Sequence, residues 1–163
     1  MDELKATLLQ GKCERMPVYT DMAAVFRALN GLEKQYDWLI TNMQCSRAIT
    51  DLPNDGSPVL VDGTVLGQML AGETKPVQFV WGVFTGMPKG ARANLMRLEI
   101  EPIAEDNEKY WSGEPAIQYP GAEVELVCWD GTCTILITKN HALTHAFRNY
   151  FPEAQDMVRA RQR

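Results

Sequence analysis

The 163-residue chain has the size of one domain and is long enough to bury about two-thirds of the surface that it exposes when unfolded. Its hydrophobic fraction of 45% and charged fraction of 23% are close to globular averages, which excludes wholesale disorder and fibrous architectures. The net charge of -5 and the lack of a broad basic face argue against nucleic-acid binding, because phosphate neutralisation supplies most of the affinity of such domains.

The first residues lack the marks of an export signal. Met1 to Lys5 is acidic where a secretory signal is basic, and no continuous apolar core follows it. No run approaches the roughly 18 apolar residues of a membrane span. No linker rich in Gly and Ser divides the chain. We therefore expect a soluble cytoplasmic protein that does not bind membranes and forms a single domain over residues 1–163.

The first third of the chain predicts helices followed by a buried strand. Asp2 to Gln10 is compatible with a short helix. Thr20 is a good N-cap for a better helix, whose apolar residues recur at helical spacing. Tyr36 to Cys45 begins with a compact apolar run and predicts a buried strand, and the turn residues after it predict a loop from Ser46 to Ser57.

The middle of the chain predicts strands and one short helix. Pro58 to Val61 suggests a short strand, after which Asp62 can cap a small helix. Pro76 to Thr85 is apolar on both faces, which indicates a central strand. Leu95 to Ile100 predicts one more strand, and the prolines of Glu101 to Gly121 predict irregular structure.

The strongest local signal is Glu123 to Thr138, two β-rich runs joined by Asp130-Gly131, which suits a two-residue type I′ turn. That turn predicts a register in which Trp129 lies opposite Thr132, Cys128 opposite Cys133, Leu126 opposite Ile135, and Val124 opposite Ile137. The cysteine pair is close enough for a disulfide in this register. Both cysteines also complete an apolar face, and we favour the interpretation that they are buried free thiols.

The last element is a helix that Asn140 caps, with one apolar face. The order of helices and strands predicts an α+β fold rather than βαβ repetition. We expect a single domain with a mostly antiparallel or mixed sheet, helices packed on it, and a C-terminal hairpin followed by a helix.

Two histidines, His141 and His145, have the four-residue spacing of a pair of metal ligands on a helix. Both point away from the apolar stripe of that helix, and no third ligand is implied nearby. We therefore expect surface histidines, no metal site and no cofactor.

A small enzyme or ligand-binding protein is the alternative to a binding module. Cys45 is a thiol that a histidine could activate. The turn from Met87 to Arg92 joins glycine flexibility to the positive charge of Lys89 and could hold an anion, although it lacks the spacing of a phosphate loop. This alternative needs a cleft where Cys45 and the Lys89 turn converge. No catalytic motif is present, so no catalytic residue is assigned.

Arg97 to Glu114, which we name the acidic aromatic segment, holds six acids and two bases around Tyr110 and Trp111. Its charge of 2 minus 6, or -4, accounts for most of the net charge of -5. Acids around exposed aromatic residues can recognise a basic protein, although a solvated loop whose Trp111 folds back into the core is the more common outcome for such a segment. The sequence predicts a binding or regulatory module that neutralises or regulates a basic protein partner. The predicted partner-binding residues are Glu105, Asp106, Glu108, Tyr110 and Trp111.

Three stretches follow one another along the chain: Tyr36-Asp37-Trp38-Leu39-Ile40, then Phe84 with Pro88-Lys89-Gly90, and then the hairpin from Glu123 to Asn140. In order and spacing they resemble a family of small bacterial proteins that is defined only as a domain of unknown function. The resemblance does not extend to the N-terminal 35 residues. It implies a bacterial intracellular protein and supplies no catalytic residue.

Overall fold

The structure is a computed structural model that describes residues 3–11, 13–16 and 18–162. Within these residues the chain forms seven β-strands and four α-helices, with two short 3-10 helices at Leu32–Gln35 and Glu108–Trp111. The strands are β1 (Lys5–Gln10), β2 (Tyr36–Cys45), β3 (Val59–Asp62), β4 (Phe79–Pro88), β5 (Val124–Trp129), β6 (Cys133–Thr138) and β7 (Gln155–Asp156). The helices are α1 (Met22–Leu29), α2 (Gly63–Ala71), α3 (His141–Tyr150) and α4 (Met157–Ala160).

All of these strands join one antiparallel sheet in the order β3-β2-β4-β5-β6-β1-β7. The predicted α+β fold is therefore confirmed, together with its C-terminal hairpin and following helix. None of the helices in the described part of the chain combines the length and apolarity that crossing a bilayer requires.

Helices α1, α2 and α3 cover one face of the sheet and form the first core. Trp38 and Phe84 of the sheet are fully buried there against Phe26 of α1, and Phe147 of α3 belongs to the same cluster. Local chemistry starts each helix, because a side chain at the N-cap accepts a backbone N–H of the first turn. The N-cap residues are Asp21 for α1, Asp62 for α2 and Asn140 for α3.

The opposite face of the sheet carries a second core without long helices. Apolar side chains of β1, β4, β5 and β6 point to this face. Its cover consists of residues from the acidic aromatic segment, Ala104, Tyr110 and Trp111, and of Met157 from α4. The segment is therefore a structural layer of the molecule.

The predicted register of the hairpin is wrong by one residue. Asp130 and Gly131 have φ values of 49° and 63°, as a type I′ turn requires, and Thr132 N donates to Trp129 O at 2.9 Å. However, Trp129 pairs with Cys133, so Thr132 is an extra residue in the connection.

A shift of one residue moves every side chain of a strand to the other face of the sheet. Leu126 therefore pairs with Leu136 instead of Ile135, and Cys128 pairs with Thr134. Cys128 belongs to the first core and Cys133 to the second, so they cannot be opposed partners. Both are buried free thiols, which confirms the interpretation that we favoured.

Three other predictions of secondary structure are also wrong. The helix predicted from Asp2 to Gln10 is strand β1, which pairs along its whole length with β6, although Asp2 itself lies outside the described residues. The strand predicted at Leu95 to Ile100 does not form, and this stretch is irregular. Thr20 is not the N-cap of α1: it has a φ of 57° and its hydroxyl donates to the Phe79 carbonyl, and Asp21 caps the helix.

Candidate functional site

The acidic aromatic segment is tied to the sheet through a buried carboxylate, Glu125 of β5. Glu125 is 0% exposed and points to the second core. Its Oε1 accepts the Tyr110 hydroxyl at 2.7 Å and Gln118 Nε2 at 3.2 Å. Its Oε2 accepts the backbone N–H of Gln118 at 2.8 Å. A single buried side chain thus holds residues 110 and 118 against the sheet.

The donors to Glu125 are neutral, and no ion pair involves it among the described residues. Burial raises the pKa of Glu125, and the hydrogen bonds from Gln118 and Tyr110 partly oppose that rise. Burial and the charge of Glu125 also raise the pKa of Tyr110. The phenol therefore keeps its proton and remains a donor to the carboxylate.

A bulge in β2 provides a second anchor for the segment. The pairing of β2 with β4 shifts register after Thr41, and Asn42 at that point has a φ of 54°. Asn42 Oδ1 accepts the backbone N–H groups of Ala104 at 2.9 Å and Glu105 at 3.0 Å. The Thr41 hydroxyl donates to the Pro102 carbonyl at 2.6 Å. The backbone around Glu105 is therefore fixed.

The two aromatic residues of the segment pack inward. Tyr110 is only 8% exposed, and Trp111 is half-buried. Both rings contact Trp129 edge to face, with ring centroids 6.0 Å away for Tyr110 and 5.4 Å away for Trp111. Trp111 thus folds back onto the sheet, as one of the two interpretations of the sequence anticipated.

The predicted acidic contacts stay on the surface. Glu105, Asp106 and Glu108 are all exposed. Glu105 Oε2 accepts Gln44 Nε2 at 3.0 Å. Ion pairs in the described part of the chain involve Arg47 or Lys89, and none involves a carboxylate of the acidic aromatic segment. The negative charge of the segment is therefore not neutralised by a close cation within the described structure.

A cavity of about 680 Å³ opens beside the segment. Ala6 of β1, Ile137 of β6 and Met157 of α4 contribute apolar side chains that are buried in the second core. Exposed acids of the segment, Glu105 and Asp106, also line the cavity. It combines an apolar interior with acidic groups close to solvent.

Arg161 closes one side of this cavity. Its guanidinium donates to the Gly113 carbonyl at 2.9 Å and to the Tyr110 carbonyl at 3.4 Å. Four residues of this site are not predicted from the sequence: Arg161, Met157, Gln118 and Glu125. The sequence does contain a signal for Glu125, since an acid within an apolar strand indicates a special environment. The other three residues reach the site through contacts between residues that are far apart in the sequence.

The residues of the alternative cleft do not converge. Cys45 pairs with Phe79 at one end of the β2–β4 ladder, and Pro88, next to Lys89, pairs with Tyr36 at the other end. At about 3.3 Å per residue these ends lie roughly 30 Å apart. Burial raises the pKa of the Cys45 thiol to about 12, which disfavours the reactive thiolate.

Lys89 already forms ion pairs with two carboxylates. Its ammonium group pairs with Asp37 at 3.3 Å and also with Asp62, and the pKa of Lys89 is raised, chiefly by the hydrogen bond to Asp62. An anion at this turn would have to compete with both acids.

The histidines His141 and His145 are exposed, as predicted. No group of three or more potential metal-ligating side chains occurs in the ranges that the structure describes.

No family model, curated protein or solved structure matches the chain in the three comparisons. The resemblance to the bacterial family therefore stays a prediction, and the function has to be argued from the site itself.

Proposed function

We propose that the protein is a binding module that holds a basic protein partner on the acidic aromatic segment. The observation that carries this proposal is that exposed carboxylates, which form no ion pair with any described residue, lie on a backbone that is fixed to the sheet. The backbone N–H of Glu105 is itself bound by Asn42, and Asp106 and Glu108 lie between this anchor and the Tyr110 anchor.

A fixed acidic surface favours association with a basic partner for two physical reasons. Clustered charge of one sign raises the rate of encounter with a partner of the opposite sign, and salt screens this attraction beyond about 10 Å at 0.1 M ionic strength. A backbone that is already ordered loses less conformational entropy when it binds than a flexible loop does. The anchors at Glu125 and Asn42 supply that order.

A regulatory role in a bacterial cell is the setting that we propose. The resemblance to a bacterial family supports it, and so do the four cysteines, which are all free thiols. Binding through charge suits a module that neutralises or regulates its partner, because the interaction responds to competing charged ligands and to salt.

The proposal is tested by capturing proteins from a bacterial lysate with the immobilised wild-type chain and with the charge-reversal variant Glu105→Lys with Glu108→Lys. The matched control is Glu14→Lys with Glu153→Lys, which changes two exposed acids outside the segment by the same total charge. We expect basic proteins to be captured by the wild type and the control, and to be lost from the segment variant.

The association and dissociation rates of a recovered partner then distinguish the contribution of charge from that of direct contact. Glu105→Lys with Glu108→Lys should mainly slow association, whereas Trp111→Ala should mainly speed dissociation if the exposed part of that ring touches the partner. An identical set of captured proteins with all variants, each shown to be folded, would contradict the proposal.

A further inference from the structure

The cavity beside the acidic aromatic segment is large enough for more than a single side chain. Its volume of about 680 Å³ falls within the range of about 300–1,000 Å³ that is usual for ligand pockets. Ala6, Ile137 and Met157 give it an apolar interior that belongs to the second core. Apolar groups of a bound molecule would therefore be removed from water there.

The surroundings of the cavity add two further features. Ile100 and Ile103 line it and are 42% and 46% exposed, so large apolar side chains meet solvent at its mouth. Glu105, Asp106 and Glu114 are exposed acids in its lining. The mouth therefore presents apolar surface and negative charge together.

Two of the described basic residues line the cavity, and one of them is already hydrogen-bonded to backbone carbonyls. Arg161 uses its guanidinium on the carbonyls of Tyr110 and Gly113, and Lys109 is the other basic residue that lines the cavity. Three acids against two bases leave the lining negative, and Glu108, Glu101 and Glu99 nearby in the sequence add to this charge. The complementary ligand is apolar at its centre and cationic on its flanks.

We infer that the basic partner binds this cavity with a short segment whose apolar residues are flanked by lysine or arginine. The apolar residues fill the cavity between the sheet and α4, and the flanking cations meet the acids at its mouth. Several acids distributed over residues 105–114 match several cations, which an extended protein segment supplies and a small molecule with one amine does not. This inference rests on the proposed function and names the chemistry of the partner.

In this arrangement the partner, and not Trp111, supplies the apolar anchor of the interface. Trp111 is half-buried against Trp129, so much of its ring is already removed from solvent before any partner binds. The cavity, in contrast, is a concave surface that a protruding apolar side chain can enter. Anchor residues that enter well-packed pockets tend to dominate interface energies.

Two nine-residue peptides labelled with fluorescein test the inference by fluorescence anisotropy at low and physiological salt. The first has a Leu-Trp-Leu centre with three lysines on each side, and the second has Ser-Gly-Ser in place of that centre. We expect the first peptide to bind the wild-type chain at least about tenfold more tightly, because only its centre can be buried in the cavity.

Ala116→Trp fills the cavity from an exposed position in its lining, and Ile103→Lys places a cation at its mouth. Ala71→Trp is the matched control, because Ala71 is an exposed residue of α2, which packs on the other face of the sheet. Ala116→Trp should remove the preference for the Leu-Trp-Leu peptide, and Ile103→Lys should weaken both peptides. The control should leave both affinities unchanged.

The outcomes separate this inference from the proposed function. Equal affinities of the two peptides, or an intact preference in Ala116→Trp, would overturn the cavity inference alone, provided that Glu105→Lys with Glu108→Lys still weakens both peptides. Failure of both peptides to bind, or binding that ignores this charge reversal, would overturn the proposed function as well.

Discussion

Replacing Tyr110 with Phe removes one hydroxyl and tests the anchor that fixes the acidic aromatic segment. The ring and its packing on Trp129 stay, but the hydrogen bond of 2.7 Å to Glu125 Oε1 is lost. Glu125 is fully buried and keeps only the donors of Gln118. The substitution therefore removes the hydroxyl that donates to a buried acid and that also accepts Gln118 Nε2.

A hydrogen bond to a charged group contributes about 1.5–3 kcal/mol to stability. We expect Tyr110→Phe to lower the free energy of unfolding by about 2 kcal/mol, since Glu125 retains other donors. For a chain of 163 residues, this loss corresponds to a fall in Tm of roughly 4–8 °C.

Urea denaturation at pH 8 measures the effect, with Tyr119→Phe as the control. Tyr119 is half-buried next to Gln118 in the chain, and its hydroxyl makes no hydrogen bond within the described residues, so its removal should cost little. In a Glu125→Gln background the cost of Tyr110→Phe should fall to about 1 kcal/mol, the value for a neutral pair. A loss below about 0.5 kcal/mol in the wild-type background would refute the assignment of Tyr110 as an anchor.

Three further predictions concern the cores. Because burial raises the pKa of Glu125 in the folded chain, the stability of the wild type relative to Glu125→Gln should fall as pH rises. The fall should begin near the pKa of glutamate in an unfolded chain, about 4.3, and continue through the raised pKa of Glu125 in the folded chain. The urea midpoints of the two proteins between pH 4 and 8 check this. A stability of the wild type, relative to Glu125→Gln, that increases with pH would contradict it. Gly86→Ala should cost about 1–3 kcal/mol in thermal or urea unfolding, because the new Cβ would overlap Val124 Cγ1 inside the first core. A reductant should leave Tm unchanged, and a thiol reagent should reach Cys128 and Cys133 only after denaturation, because both are buried free thiols on opposite faces. A shift of Tm on reduction would indicate a disulfide.

The elements that the sequence predicts well depend on neighbouring residues. The strand Tyr36–Cys45 has the predicted bounds, because its apolar run ends at turn residues. Asp62 and Asn140 start α2 and α3 as predicted, since a capping side chain acts within three residues of itself. Such interactions can be read from short windows of sequence.

The elements that the sequence misses depend on distant partners. Lys5–Gln10 is a strand because β6, more than 120 residues later, offers it an edge to pair with. Leu95 to Ile100 alternates like a strand but pairs with no strand in the described sheet. The site follows the same rule: Glu125, Gln118 and Arg161 meet Tyr110 only in the folded chain.

One extra residue in the hairpin connects these findings. The predicted register would have placed Leu136 opposite Glu125, with Thr134 and Thr138 on the same face, whereas the observed register places Ile137 opposite Glu125 and Ile135 on that face. A face with this much apolar surface is unfavourable in water, and the acidic aromatic segment covers part of it. Among the described residues no close cation pairs with the acids of that cover, so burial would be costly for them, and they are exposed. Ile137, at the edge of the cover, stays within reach of the cavity. The position of Thr132 in the turn therefore decides that Ile137 of β6 lines the apolar cavity beside the acidic surface.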